Sequence, residues 1–98
     1  MFMPVLKKSE SYRTMYTLLY SEVKEVEETI LQYQVNGSPK NRDELVGELL
    51  DVIEVCIGFL DDLETKGANL ELSSMEHIRK LINRKIWTIK KWIKIEVL

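Results

Sequence analysis

"NRDELVGELLDVIEVCIGFLDDLET", residues 41–65, decides the fold. Leu45, Leu49, Val52, Ile53, Val55, Cys56, Ile57, Phe59, Leu60 and Leu63 recur at helical spacing. At about 100° per residue they cover well over half of a helix's circumference. One neighbouring helix cannot cover so wide an arc, so this segment belongs in the middle of a bundle, with partners on two sides. Asn41, with Glu44 three residues on, reads as a capping box at its start. Lys66-Gly67 supplies a basic last turn and a C-cap glycine.

Two further helices flank it. The first is expected from about Ser9 to Tyr33, with Tyr12, Met15, Tyr16, Leu19, Val23, Val26 and Ile30 as its apolar stripe. It stops at "QVNGSPKNRD", residues 34–43, where Asn36-Gly37 and Ser38-Pro39 are turn and breaker signals. The third opens at Ser73-x-x-Glu76, another capping box, and is expected to run to about Ile95 on Ile78, Leu81, Ile82, Ile86, Ile89, Trp92 and Ile93. No strand alternation or internal repeat interrupts the pattern. The expected architecture is all-α: one domain over residues 1–98, a three-helix protomer that forms four-helix-bundle cores by oligomerisation, as a homodimer or homotetramer.

Bulk composition agrees. A 98-residue chain buries only about 60–65% of its unfolded surface, so association would help stability. Net charge is −2, which argues against nucleic acid as the partner, although Lys90, Lys91 and Lys94 interleave with Trp92 near the end. The charge is uneven. Residues 1–69 hold 7 Lys/Arg and 13 Asp/Glu, net −6, whereas residues 70–98 hold 7 and 3, net +4. An acidic front and a basic tail suit a metal and a phosphate, or simply each other. Cys56 is the one cysteine, so no intrachain disulfide forms, which fits a reducing compartment. "MFMPVLKK" lacks a signal-peptide pattern and no window approaches a membrane span, so the expected location is cytoplasmic, with no membrane partner.

Four acids sit inside the apolar pattern. Glu22 and Glu25 are one turn apart on the first helix, and Glu48 and Asp51 on the second. Glu48, Asp51 and Asp62 share the narrow gap left in the apolar arc, with Gly58 among them. If the two helices are antiparallel neighbours, the two pairs face each other. Four carboxylates in a partly dry site repel unless a cation joins them. Magnesium suits such a site, because it prefers oxygen ligands and keeps positions for water and substrate phosphates. The bland alternative is a solvated edge, and Glu27, Glu28, Asp61 and Glu64 fit it. Glu22 and Glu25 taken alone are compatible with either. Glu48 and Asp51, hemmed in by Leu45, Leu49, Leu50, Val52 and Val55, need a partner.

"EVKEVEETI" (residues 22–30) followed by "DELVGELLDVI" (residues 43–53) resembles the MazG-type, all-α nucleotide pyrophosphohydrolases, whose mark is Glu-x-x-Glu and a later Glu-x-x-Asp. "KGANLEL" leading into "KLINR" is similar to that family as well, and the resemblance covers about residues 15–85. It implies magnesium-dependent hydrolysis of nucleoside triphosphates to monophosphate and pyrophosphate, by dimers or dimers of dimers, with manganese as a substitute ion. It implies Glu22, Glu25, Glu48 and Asp51 as metal ligands, with Glu25 or Glu22 acting on water. Lys80 and Arg84 would lie near the phosphates. Many members carry a further Glu where this chain has Ser21, and a polar residue where it has Gly58.

The remaining polar residues have two readings each. Lys85 lies on the apolar stripe of the third helix, either snorkelling along the core or reaching the acids or a triphosphate. Lys80 and Arg84 form a solvated basic face or contact phosphate. Trp87 and Trp92 read as core or subunit interface, and Cys56 as core. His77 is alone and has no cysteine set around it, which argues against a zinc site. The expected function is nucleoside triphosphate pyrophosphohydrolysis in nucleotide-pool housecleaning. The alternative is a catalytically silent helical oligomer or partner-binding module on the same scaffold.

Overall fold

A computed structural model describes residues 2–6, 11–84 and 90–94. It contains three helices: α1, Tyr12–Val35; α2, Pro39–Thr65; and α3, Leu70–Arg84. There is no strand among the described residues. No helix among them is long and apolar enough to cross a membrane.

Each boundary has a local cause. Ser11 sits in extended backbone and its hydroxyl accepts from the Thr14 amide at 3.2 Å, capping α1. Helix α2 begins earlier than the Asn41 capping box suggests. Pro39 takes the first helical position, where its fixed φ fits and its missing N–H costs nothing. Ser38 is the cap, accepting from the Asn41 amide at 3.1 Å. Asn41 instead stitches the turn, its side-chain amide donating to the Asn36 carbonyl at 2.8 Å. At the other end of α2, the Ala68 amide donates to the Leu63 carbonyl and the Gly67 amide to that of Glu64, both at 3.0 Å. With Gly67 at φ 102° this is a Schellman stop, as the glycine suggested.

Helix α3 likewise starts before its expected cap. The Asn69 carboxamide oxygen accepts from the Leu72 amide at 3.0 Å, and Ser73 is already inside the helix. Its far end also differs: residues 90–94 are not helical, and Trp92 is 69% exposed. Ile86, Trp87 and Ile89 lie outside the described residues.

Helices α1 and α2 pack as an antiparallel hairpin. Facing partners have numbers that add to 73 or 74: Met15 against the Gly58 position, Tyr12 with Asp62, Glu25 with Glu48. Tyr12 and Phe59 close one end, ring centroids 5.9 Å apart and tilted by 46°. Extensive packing joins α1 and α2 alone; α3 meets them only slightly. Consequently no described side chain is fully buried, Cys56 included, which is half-buried. The radius of gyration is 15.7 Å, against roughly 13 Å for a compact chain of this length. A hairpin without a third layer leaves its outer apolar faces bare.

Two glycines of α2 and its stop test this description. A methyl at Gly47 would meet nothing within 4 Å, so Gly47→Ala should stabilise the chain by about 0.5–1 kcal/mol, by removing backbone entropy from the unfolded state. At Gly67 the positive φ reverses the sign, and Gly67→Ala should cost about 1–2 kcal/mol. Urea unfolding midpoints of the two variants should therefore move in opposite directions.

Candidate metal centre

The hairpin register brings the two acid pairs together. Glu22 and Glu25 are one turn apart on α1, and Glu48 and Asp51 one turn apart on α2. One carboxylate oxygen from each lies within 4.8 Å of the others. Glu22 and Glu48 are half-buried and form the floor, whereas Glu25 and Asp51 are exposed and form the rim. The pattern follows from the wheel: Glu48 lies on the face of α2 turned toward α1, and Asp51 lies about 60° round from it. Among the described residues this is the one grouping of three or more potential metal ligands.

Electrostatics single out Glu48. Its carboxyl is held above the ordinary carboxylate range, first by its contact with the Glu25 carboxyl, then by burial, then by the charges of Glu25, Asp51 and Glu22. Its Oε2 is shut off from solvent and accepts no hydrogen bond of acceptable geometry. The two facts meet in one condition. Two ionised carboxylates supply no donor, so Glu25 and Glu48 can bond only by sharing a proton. A proton or a cation between them would relieve their repulsion.

The donor set fits a hard divalent cation. All four donors are carboxylate oxygens, the ligands that magnesium and manganese take. In an octahedral magnesium shell, two oxygens opposite each other at ~2.1 Å are about 4.2 Å apart. The 4.8 Å spread of the four donors closes to that with small side-chain rotations. The withdrawn Glu48 oxygen is the atom such an ion would satisfy.

Other residues expected at the site are placed differently. Asp62 shares the gap in the α2 arc but not the acid cluster. It accepts from the Tyr12 hydroxyl, and Lys66 Nζ bonds both Asp62, at 2.9 Å, and the Tyr12 oxygen, at 2.6 Å. Lys66 also lies 4.3 Å from the Tyr12 ring centroid. Tyr12 and Lys66 hold the Asp62 carboxyl below its usual range, and Tyr12 and Asp62 raise the Lys66 ammonium. This clamp ties the start of α1 to the end of α2, about ten residues or 15 Å along the helix from the acids. A tyrosine and an acid whose numbers share the hairpin's sum were the available signal. Lys80 and Arg84 are exposed on α3 and make no ion pair with a described acid. Lys85 lies outside the described residues. Beside the centre, Ser21 is exposed; Gly58 lies away from it, seven residues along α2 from Asp51, and faces Met15 Cε at ordinary contact distance.

Compared with family models, curated proteins and solved structures, the chain matches none.

Proposed function

We propose that the protein is a magnesium-dependent nucleotide pyrophosphohydrolase, a MazG-like enzyme cutting nucleoside or deoxynucleoside triphosphates to monophosphate and pyrophosphate. Four carboxylate oxygens drawn within 4.8 Å across two helices are the observation that supports it most. Glu22, Glu25, Glu48 and Asp51 would hold Mg²⁺, or Mn²⁺ in its place. When bound, the ion supplies neutralisation of phosphate charge and polarisation at phosphorus.

The chain's own residues carry the rest. Glu25, on the exposed rim, is the first choice to orient water and take its proton, with Glu22 next. Water's oxygen forms a bond to the α-phosphorus, the bond from that phosphorus to the α–β bridging oxygen breaks, and pyrophosphate leaves. Lys80, Arg84 and Lys85 would offset charge on the departing pyrophosphate. In this reading the three-helix protomer assembles as a homodimer or homotetramer with four-helix-bundle cores, and works in the cytoplasm on the nucleotide pool.

Ion-exchange analysis of products from a panel of nucleotides tests the chemistry. Monophosphate and pyrophosphate should appear only with magnesium or manganese. Diphosphate plus orthophosphate would mean attack at the γ-phosphorus. Monophosphate from none of them, with folded and magnesium-bound protein, would favour the catalytically silent oligomer on the same scaffold.

A further inference from the structure

Arg13 is set against its local surroundings. It occupies the first turn of α1, where the helix dipole disfavours positive charge, and no acid in that turn offsets it. Arg42 and Lys66 each bond a carboxylate at 2.9 Å, whereas Arg13 pairs with none among the described residues. A residue that breaks a local preference without a compensating partner is expected at functional positions.

What Arg13 does border is a cavity. It is open to solvent, about 500 Å³ in volume, and lined among the described residues by Arg13, Thr14, Thr17, Leu18 and Ser21. Small-molecule sites run from ~300 to 1,000 Å³. The cavity leads away from the acid centre. At roughly 100° per residue, Thr14, Leu18 and Ser21 lie within about 40° of Glu25 round α1. It therefore begins one turn from the rim acid and follows the helix toward its N-terminus. Thr17 and Arg13 border it on the side away from Met15, which faces α2. Ser21 presents an exposed hydroxyl with no hydrogen bond among the described residues. Leu18 is half-buried beneath it. The Thr17 hydroxyl donates back to the Arg13 carbonyl at 3.0 Å, so it offers a ligand only lone pairs.

We propose that this cavity seats the nucleoside half of the substrate and that Arg13 reads the base, selecting a purine with acceptors at O6 and N7, guanine or hypoxanthine, over adenine. The inference rests on the pyrophosphohydrolase reading above and adds the base to it. Distance sets the order of the parts. An ion at the four acids holds the phosphates, so the sugar follows at Ser21 and the base lies beyond, over Leu18. Arg13 is twelve residues from Glu25, about 18 Å along the helix. Phosphates gathered round one ion do not extend that far, so the guanidinium meets the base and not the phosphate chain. The lining agrees: Leu18 gives a flat ring an apolar surface, whereas a phosphate laid over it would lose water without gaining a donor. A guanidinium is a planar fork of donors with no acceptor. Guanine and hypoxanthine offer it two adjacent acceptors, O6 and N7, the bidentate match. Adenine puts its N6 amino group in place of O6, and donor then faces donor.

Calorimetric titration with α,β-methylene GTP and α,β-methylene ATP in magnesium, beside kcat/KM for GTP, inosine triphosphate and ATP, tests this. The guanine analogue should bind about 10-fold tighter or more, the scale of one bidentate base contact. GTP and inosine triphosphate should share that advantage over ATP in kcat/KM. Arg13→Ala should erase the preference by weakening the 6-oxopurines and sparing ATP. Arg13→Lys should erase it too, because lysine keeps the charge and loses the fork, a result that a merely structural or electrostatic role would not give. The wild-type comparison needs no variant, so it decides the matter even if a variant fails to fold. Equal binding and cleavage of all three nucleotides would overturn the inference and leave the pyrophosphohydrolase reading standing, as would a guanine preference that survives in Arg13→Ala. A guanine preference in binding that Arg13→Ala erases, with cleavage of no nucleotide, would uphold the base site and overturn the reaction. Binding of neither analogue would overturn both.

Discussion

Glu25→Gln should lower turnover by about 100-fold or more and leave nucleotide affinity within a few-fold of wild type. General-base assistance is worth roughly 10²–10⁴ in rate, and glutamine keeps the shape of glutamate while losing its basicity. Glu25 is at the exposed rim of the cluster, where a substrate and its water can reach it, whereas Glu48 is on the half-buried floor. Removing a group that acts in the transition state lowers kcat and kcat/KM together; removing one that also holds the ground state raises KM. Arg84→Ala should show the second pattern if the guanidinium meets the phosphates. Steady-state kinetics with direct nucleotide-binding titrations separates the two. If Glu25→Gln raises the dissociation constant as much as it lowers turnover, Glu25 holds metal and Glu22 inherits the water. Magnesium must be shown bound to the variant, since one carboxylate fewer weakens the ion too.

The centre of the hairpin was legible in the sequence because two periodic signals agreed there. Apolar spacing on both helices sets which faces meet, and the two Glu/Asp pairs sit at matching offsets from those faces. Antiparallel packing then brings all four acids together without further information. What the sequence hid was decided by competition between neighbouring residues. Asn41 and Ser38 are both good caps, and Pro39 settles the choice by preferring the first helical position. Asn69 forestalls Ser73 in the same way at α3. Asp62 looked like a third acid of the α2 gap, yet it lies 14 residues, about four turns, from Glu48. At that level its neighbours are Tyr12 and Lys66, both donors, so it enters their clamp instead. The third layer was least legible. An amphipathic stripe shows that a helix needs a partner but not which one, and the described part of α3 leaves the hairpin's outer apolar faces bare.

Magnesium should reverse the pH dependence of stability, and Glu48→Gln should abolish that reversal. The folded state holds the Glu48 carboxyl above its ordinary value of 4.5, because Glu25, burial and the neighbouring acids all favour the protonated form. An acid raised in the folded state binds more protons there than in the unfolded chain, so its stabilising contribution is complete below the unfolded value. That contribution is lost as pH rises through the higher, folded value. The metal-free protein should therefore lose thermal stability as pH climbs from about 4.5 toward neutrality, through this group. A divalent cation takes the place of the proton and binds best when the acids are ionised, so its stabilisation grows over the same interval. At an ion concentration a hundred times the dissociation constant, mass action supplies about 2.7 kcal/mol, which raises the melting temperature by on the order of 10 °C in a domain of this size. Glu48→Gln removes the raised carboxyl and one ligand at once. Its melting temperature without metal should be flatter with pH and higher than wild type at neutral pH, and its response to magnesium should largely vanish. Asp51→Asn should blunt the magnesium response but leave most of the pH slope, because the dominant contact with Glu25 survives. Melting curves of the three proteins at several pH values, with chelator and with millimolar magnesium, check every sign. If wild type melts at the same temperature in both, even with nucleotide present, the four acids are not a metal centre.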